Sequence, residues 1–151
     1  MKLTIIAAML AAGAVFAAVP DAAAQQAATV KSAPQANAKY KVVFQVSDND
    51  PVKWNLALNN AKNVQADLGK QNVEIEIVAY GPGLNMLKAE SAVAGRVNAA
   101  LDDSVAVVAC DNTMYNMKLT NADLIGGIGH VKAGVVQLME RQRQGWNYIR
   151  P

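Results

Sequence analysis

Short β-branched runs alternate with longer stretches of helical spacing from Lys39 onward. Lys39 to Val46 (KYKVVFQV) carries the β-branched and aromatic content of a strand. Ser47-Asp48-Asn49-Asp50-Pro51 then reads as a helix start, with Asp50 capping free backbone N–H groups and Pro51 at the first helical position. Trp54, Leu58, Ala61, Val64 and Leu68 recur at three- and four-residue spacing, which predicts one apolar helical stripe. Gly69 is expected to close that helix as a left-handed cap. Val73 to Tyr80 (VEIEIVAY) is a second strand. Its Glu74 and Glu76 alternate with Val73, Ile75 and Ile77, so one face near its start is wet or paired.

Gly81-Pro82-Gly83 breaks that strand, and Leu84 to Leu87 is expected to form a short helical turn. A helix is predicted from about Glu90 to Leu101, with Val93, Ala94, Val97 and Leu101 on one side. Val105 to Ala109 is the third strand. Thr120, with Asp123 three residues on, predicts a cap and a turn over Ala122 to Ile125. Gly126-Gly127-Ile128-Gly129-His130 is a loop with room for a short strand from Ile128 to Val131. Val135, Val136, Leu138 and Met139 begin a last helix ending near Gly145, and Trp146 to Ile149 is a β-prone edge. Strands separated by helices imply right-handed βαβ units. The expected fold is therefore α/β: a single-domain open sheet, mostly parallel, with helices on both faces. The pattern leaves the strand order open.

Chemistry concentrates at one address. Cys110, the only cysteine, ends the third strand and is followed by Asp111-Asn112-Thr113, which reads as a loop. In an open α/β sheet, ligands gather just beyond the carboxyl ends of the strands. Parallel strands would set Ser47 to Asp50, Tyr80 to Gly83 and Cys110 to Thr113 along that same edge. Cys110 is the candidate catalytic residue there. Asp48, Tyr80, Gly81, Gly83, Asn112 and Thr113 are its candidate pocket. Each residue also has a plainer use: a lone cysteine is often a small buried hydrophobe, and Asn and Thr serve turns everywhere. Gly-Pro-Gly has neither dinucleotide-fingerprint spacing nor a phosphate-loop pattern, which argues against a nucleotide site.

The start of the chain sets the compartment. Lys2, an apolar Ala-rich stretch from Leu3 to Val19, and Ala22-Ala23-Ala24 have the layout of a secretory signal peptide. Residues 1–24 are assigned to it, with a membrane anchor as the alternative reading. Residues 25–38 are Ala-, Gln- and Ser-rich and read as a flexible leader, leaving the folded domain at 39–151. The mature protein is then expected to be periplasmic or secreted, with no membrane association after cleavage. An oxidising compartment makes an unpaired thiol unusual, so Cys110 is either fully buried or used. Cleavage removes Lys2 and Asp21 together, leaving a net charge of +2 that is too weak and scattered for nucleic acid. One cysteine and one histidine cannot supply a tetrahedral zinc site unless carboxylates contribute most of it. No metal and no cofactor are expected.

Three segments carry a resemblance: Val-Ala-Cys-Asp-Asn-Thr-Met at 108–114, Ala-Tyr-Gly-Pro-Gly at 79–83, and Gln-Gly-Trp-Asn-Tyr-Ile at 144–149. Together with Trp54-Asn55 and Asn59-Asn60, they make the chain resemble the DsrE/DsrF-like proteins over 39–151, most closely the small exported members with Cys-x-Asn-Thr-Met. The resemblance implies a compact parallel α/β domain. Some such proteins carry sulfane sulfur as a persulfide on a strand-end cysteine, and Cys110 is the matching position here. It also implies a homo-oligomer, trimer or hexamer, and a sulfur donor or acceptor protein as partner. The chain departs from the family pattern at Asp111, where glycine is common, and an adjacent carboxylate disfavours a thiolate.

Two functions follow. The first is exported sulfur handling, with Cys110 as nucleophile or persulfide acceptor. The second is a non-catalytic binding or assembly module in which Cys110 is buried and inert. His130, far along the chain in a Gly-rich loop, is not expected to take part. Met86, Met114, Met117 and Met139 read as core filler, with soft-metal binding at Met114 and Met117 as the remote alternative.

Overall fold

The computed structural model describes residues 39–151, so the signal-peptide and leader assignments lie outside the described residues. Five parallel strands form one sheet: β1 Tyr40–Val46, β2 Val73–Ala79, β3 Ala106–Cys110, β4 Gly129–Val131 and β5 Asn147–Ile149. Their order is β4-β3-β2-β1-β5, and every pairing is parallel. The helices are α1 Pro51–Leu68, α2 Ala94–Asp102, α3 Asp111–Met117 and α4 Gly134–Arg143. Short 3-10 turns cover Lys70–Asn72, Gly81–Leu87 and Asn121–Asp123.

The strand order explains why the helices divide between two faces. The chain steps from β1 through β2 and β3 to β4 in one direction, then returns across the sheet to β5 on the far side of β1. Right-handed crossovers put connections of opposite direction on opposite faces. The outward steps therefore lay α1, α2 and α3 on one face, and the return step lays α4 on the other. Side-chain alternation agrees. Val42, Phe44, Val46, Ile75, Ile77, Ala79, Val107 and Ala109 join the core under α1 and α2, whereas Val43, Val78 and Val108 meet Leu138 and Trp146.

Most local signals work where they were read. Asp50 accepts a 2.8 Å hydrogen bond from the Val52 N–H, and Pro51 opens α1. Trp54, Leu58 and Ala61 are buried, with Val64 and Leu68 packed at the margin. Thr120 and Asp123 form a complete capping box. Gly69 has φ +83° but an extended ψ of 133°, so it ends α1 with positive φ and not in the left-handed helical conformation.

Three further expectations are corrected. The stretch after Cys110 is not a loop but α3, with Cys110 itself at the cap position and Lys118 closing it at φ +56°. The second helix starts at Ala94, not near Glu90, because Lys88 is drawn into a bridge with Leu124 and Ser91 turns the chain before Val93. Met139 is 63% exposed and fills no core; of the apolar residues opening α4, only Leu138 is buried.

Candidate functional site

Cys110 sits where the winding direction changes. The connection leaving β3 goes to the α1/α2 face, as Met114 of α3 joins that core, while the connection leaving β4 carries α4 to the opposite face. Strand ends whose connections diverge open a crevice between them, the usual ligand position of such sheets. Cys110 is the last residue of β3 and pairs with Val131 of β4, on the α4 side of the sheet.

Hydrogen-bond donors surround its sulfur. Burial pushes the Cys110 thiol up, but the Thr113 hydroxyl and the N–H groups of Gly134, Thr113 and Asn112 outweigh it, and the net direction is below the ordinary thiol value. Donors to the charged form lower a pKa for a direct reason: the thiolate gains every bond that the thiol cannot fully accept. The neutral thiol has one acceptor of its own, the Lys132 carbonyl, 4.0 Å from Sγ. The expected penalty from Asp111 is thus outweighed. That carboxylate turns to His130, with Oδ1 2.9 Å from Nδ1.

Thr113 ties two of the predicted segments together. Its hydroxyl accepts from the Gly81 N–H at 3.0 Å while serving the Cys110 sulfur. Gly81 holds φ +52°, a conformation that suits glycine and aims that N–H at Thr113. Tyr80 lies beside Cys110 on the adjoining strand end. Burial first, and then Tyr148, push its phenol up, so it is a neutral hydrogen-bonding group at ordinary pH. The Tyr80 ring seats directly on Gly134: a Cβ there would lie 2.9 Å from the Tyr80 Cβ. Glycine at the start of α4 is what lets the helix approach Tyr80 and bring its first N–H to the sulfur.

Other predicted residues have different work. Gly83 packs under the end of β1, where a Cβ would fall 2.4 Å from the Val46 carbonyl oxygen. Asp48 is held at that strand's end by Lys53 at 3.1 Å and Arg150 at 3.3 Å, and those bonds keep its carboxyl below the usual range. Asn112 contributes its backbone N–H, which also reaches the Lys132 carbonyl at 3.2 Å. The structure thus brings Thr113, Asn112, Gly81 and Tyr80 around Cys110, and leaves Gly83 and Asp48 as supports of β1's end.

Sequence reasoning missed Gly134, Lys132 and the His130–Asp111 pair. The available signal was Gly134 itself, a glycine set between Ala133 and the apolar start of a helix. His130 pairs in register with Ala109, so it projects from the face opposite Cys110 and does not form a Cys–His dyad. Among the described residues, no group of three His, Cys, Asp or Glu is placed to hold a metal ion, and no helix is long and apolar enough to cross a membrane.

A single parallel domain with a donor-ringed cysteine at the winding switch defines a class of strand-end thiol sites. The sequence matches the DsrE/DsrF-like family over residues 25–151, and the chain belongs to that family. A solved protein of unknown function from Methanobacterium thermoautotrophicum is 38% identical, aligns over 74% of this chain and 99% of its own, and superposes with a TM-score of 0.71. Another of unknown function, from Bacteroides thetaiotaomicron, is 16% identical over 74% of this chain and 94% of its own, with a TM-score of 0.62; it shares the fold. No curated protein matches.

Proposed function

We propose that this protein is an exported sulfur carrier in which Cys110 accepts sulfane sulfur as a persulfide. One observation carries the reading: the Cys110 sulfur is ringed by Thr113, Gly134 and Asn112 donors that favour its thiolate, at the switch crevice of a DsrE/DsrF-like fold. The thiolate would attack the outer sulfur of a donor persulfide, R–S–SH. The new bond joins Sγ to that sulfur; the old S–S bond breaks, and its electron pair leaves on the donor's thiolate, R–S⁻. Cys110 ends as Cys–S–SH. No net oxidant is consumed, because sulfane sulfur only changes carrier.

The burial of Cys110 favours a second reading. It is 5% exposed, which suits an inert core thiol in a binding or assembly module. The test is intact mass after incubation with polysulfide. Sulfur-sized increments on the native chain, absent in Cys110→Ser, support the carrier. A thiol that stays silent to polysulfide and to an alkylating probe until the chain is denatured supports the module.

Both readings include self-association, as a trimer or hexamer. Val135, Val136 and Met139 leave an apolar stripe exposed along α4 beside the Cys110 crevice. Sedimentation of the full chain at micromolar concentration should show an oligomer, and a monomer alone would overturn this. A mature form in periplasm or medium that lacks residues 1–24 is the corresponding test of export.

A further inference from the structure

A second site lies on the other face of the sheet, in the cleft between α1 and α2. Arg96 of α2 reaches across to α1, donating to Asn55 Oδ1 through one guanidinium nitrogen and to Asn59 Oδ1 at 2.6 Å through the other. Asn55, Asn59 and Lys62 follow at spacings of four and three residues, along one stripe of α1. Two neutral amides therefore fix the guanidinium without cancelling its charge. Among the described residues, neither Arg96 nor Lys62 has a carboxylate partner.

Behind them an open cleft of about 180 Å³ is lined by Leu58, Ala61, Lys62, Gln65, Arg96 and Asp103, among others. The Asp103 carboxylate is engaged by Lys70, with Oδ1 2.5 Å from Nζ. Gln65 is only 7% exposed. Its Nε2 donates to the Asp103 carbonyl at 2.7 Å, which fixes the orientation of the amide, yet its Oε1 receives no donor from the described residues. A buried acceptor left without a donor is costly, about 1–3 kcal/mol, and calls for a partner. A cleft of this size has room for ordered waters or a small ligand.

We propose that this cleft binds a small hydroxylated organic acid, its anionic group held by Arg96 and Lys62 and its hydroxyl donating to Gln65 Oε1. The site is independent of Cys110 and of the sulfur reading. The test is an NMR titration of the ¹⁵N-labelled full chain, carried out on Cys110→Ser so that the thiol plays no part. Glycerate is the probe, with inorganic phosphate (anion without hydroxylated carbon chain) and glycerol (hydroxyl without anion) as controls. Glycerate should shift the α1 and α2 signals saturably, and glycerol should not. Arg96→Gln, an exposed position whose fold is checked by the same spectrum, should weaken glycerate by about tenfold or more. Gln65→Leu should weaken glycerate and spare phosphate. The proposal is overturned by an absence of saturable shifts, by equal binding in Arg96→Gln, or by phosphate matching glycerate, which would mark an adventitious ion only.

Discussion

The two faces of this sheet are built on different principles, although the same strands supply both. Where α1 and α2 pack onto the sheet the contact is dry: Val42, Phe44, Ile75, Ile77, Val107 and Ala109 meet Trp54, Leu58 and Val97 with no charged side chain among them, and the polar Gln65 cleft lies between the two helices. Under α4 it is mixed. Glu76, 1% exposed, takes Arg141 Nε at 2.7 Å and Gln137 Nε2 at 2.6 Å, and Tyr148 donates to Gln45 Oε1 at 2.6 Å. Arg141 also stacks 4.5 Å above Trp146. Hydrophobic burial is roughly proportional to apolar area and needs no fixed geometry, so the dry face supplies stability. A hydrogen-bonded face specifies geometry instead. Cys110 lies on that side, where the placement of α4 decides whether the Gly134 N–H reaches the sulfur.

Mutations that hit one face at a time should separate the two principles. Trp54→Ala, on the dry face, is expected to cost about 3–5 kcal/mol in chemical denaturation, since it deletes a buried ring and its 2.7 Å bond to the Asp48 carbonyl. Arg141→Met, on the mixed face, should cost about 3 kcal/mol by stranding the Glu76 charge, with Gln137 left as one partner. The pair behaves differently from its halves. Glu76→Leu combined with Arg141→Met removes both charges and should recover most of that loss, because an apolar pair replaces a desolvated one. If the double variant is no more stable than Arg141→Met, Glu76 is needed for more than charge balance, and the division between faces is too simple.

The dry face was nearly all legible from the chain, and the mixed face much less so. Trp54, Leu58 and Ala61 declare their helix by spacing, and VEIEIVAY declares its strand by alternation, because both depend on neighbours in sequence. Cys110 was found by the same local logic, as the end of an apolar run. What stayed hidden depends on partners far along the chain. The strand pattern leaves Glu76 wet or paired, and it is paired: Gln137 and Arg141, which bury it, arrive 61 and 65 residues later and could not be named from its neighbours. Val135, Val136, Leu138 and Met139 all open the last helix, and which of them faces inward is not set by neighbours: Leu138 is buried and Met139, expected to fill the core, is exposed. Asp-Asn-Thr-Met-Tyr-Asn-Met has weak helical propensity and forms α3 because Lys118 turns the chain back with its N–H on the Met114 and Tyr115 carbonyls. Strand order, which decides that α4 crosses the opposite face, leaves no mark in local pattern at all.

The smallest expected effect tests the link between the faces, and it concerns Thr113. Thr113→Val keeps the shape but loses the hydroxyl that accepts from Gly81 and serves the Cys110 sulfur, at a cost of about 1 kcal/mol. Its diagnostic consequence is in the pH dependence. The folded thiol lies below its ordinary value, so between those two values the native chain binds fewer protons than the unfolded one. Stability then rises with pH across that window, is fully present above the ordinary thiol value, and is lost as pH falls through the folded one. Removing one donor should raise the folded value and shorten the window from its acid end, and Cys110→Ser should abolish it. Native-state alkylation followed against pH reads the same shift kinetically, with its midpoint moving up in Thr113→Val. Equal stability slopes in all three chains would assign the dependence to other groups. They would also take the thiolate out of the description of this edge, leaving the α4 face a scaffold whose cysteine happens to be well hydrogen-bonded.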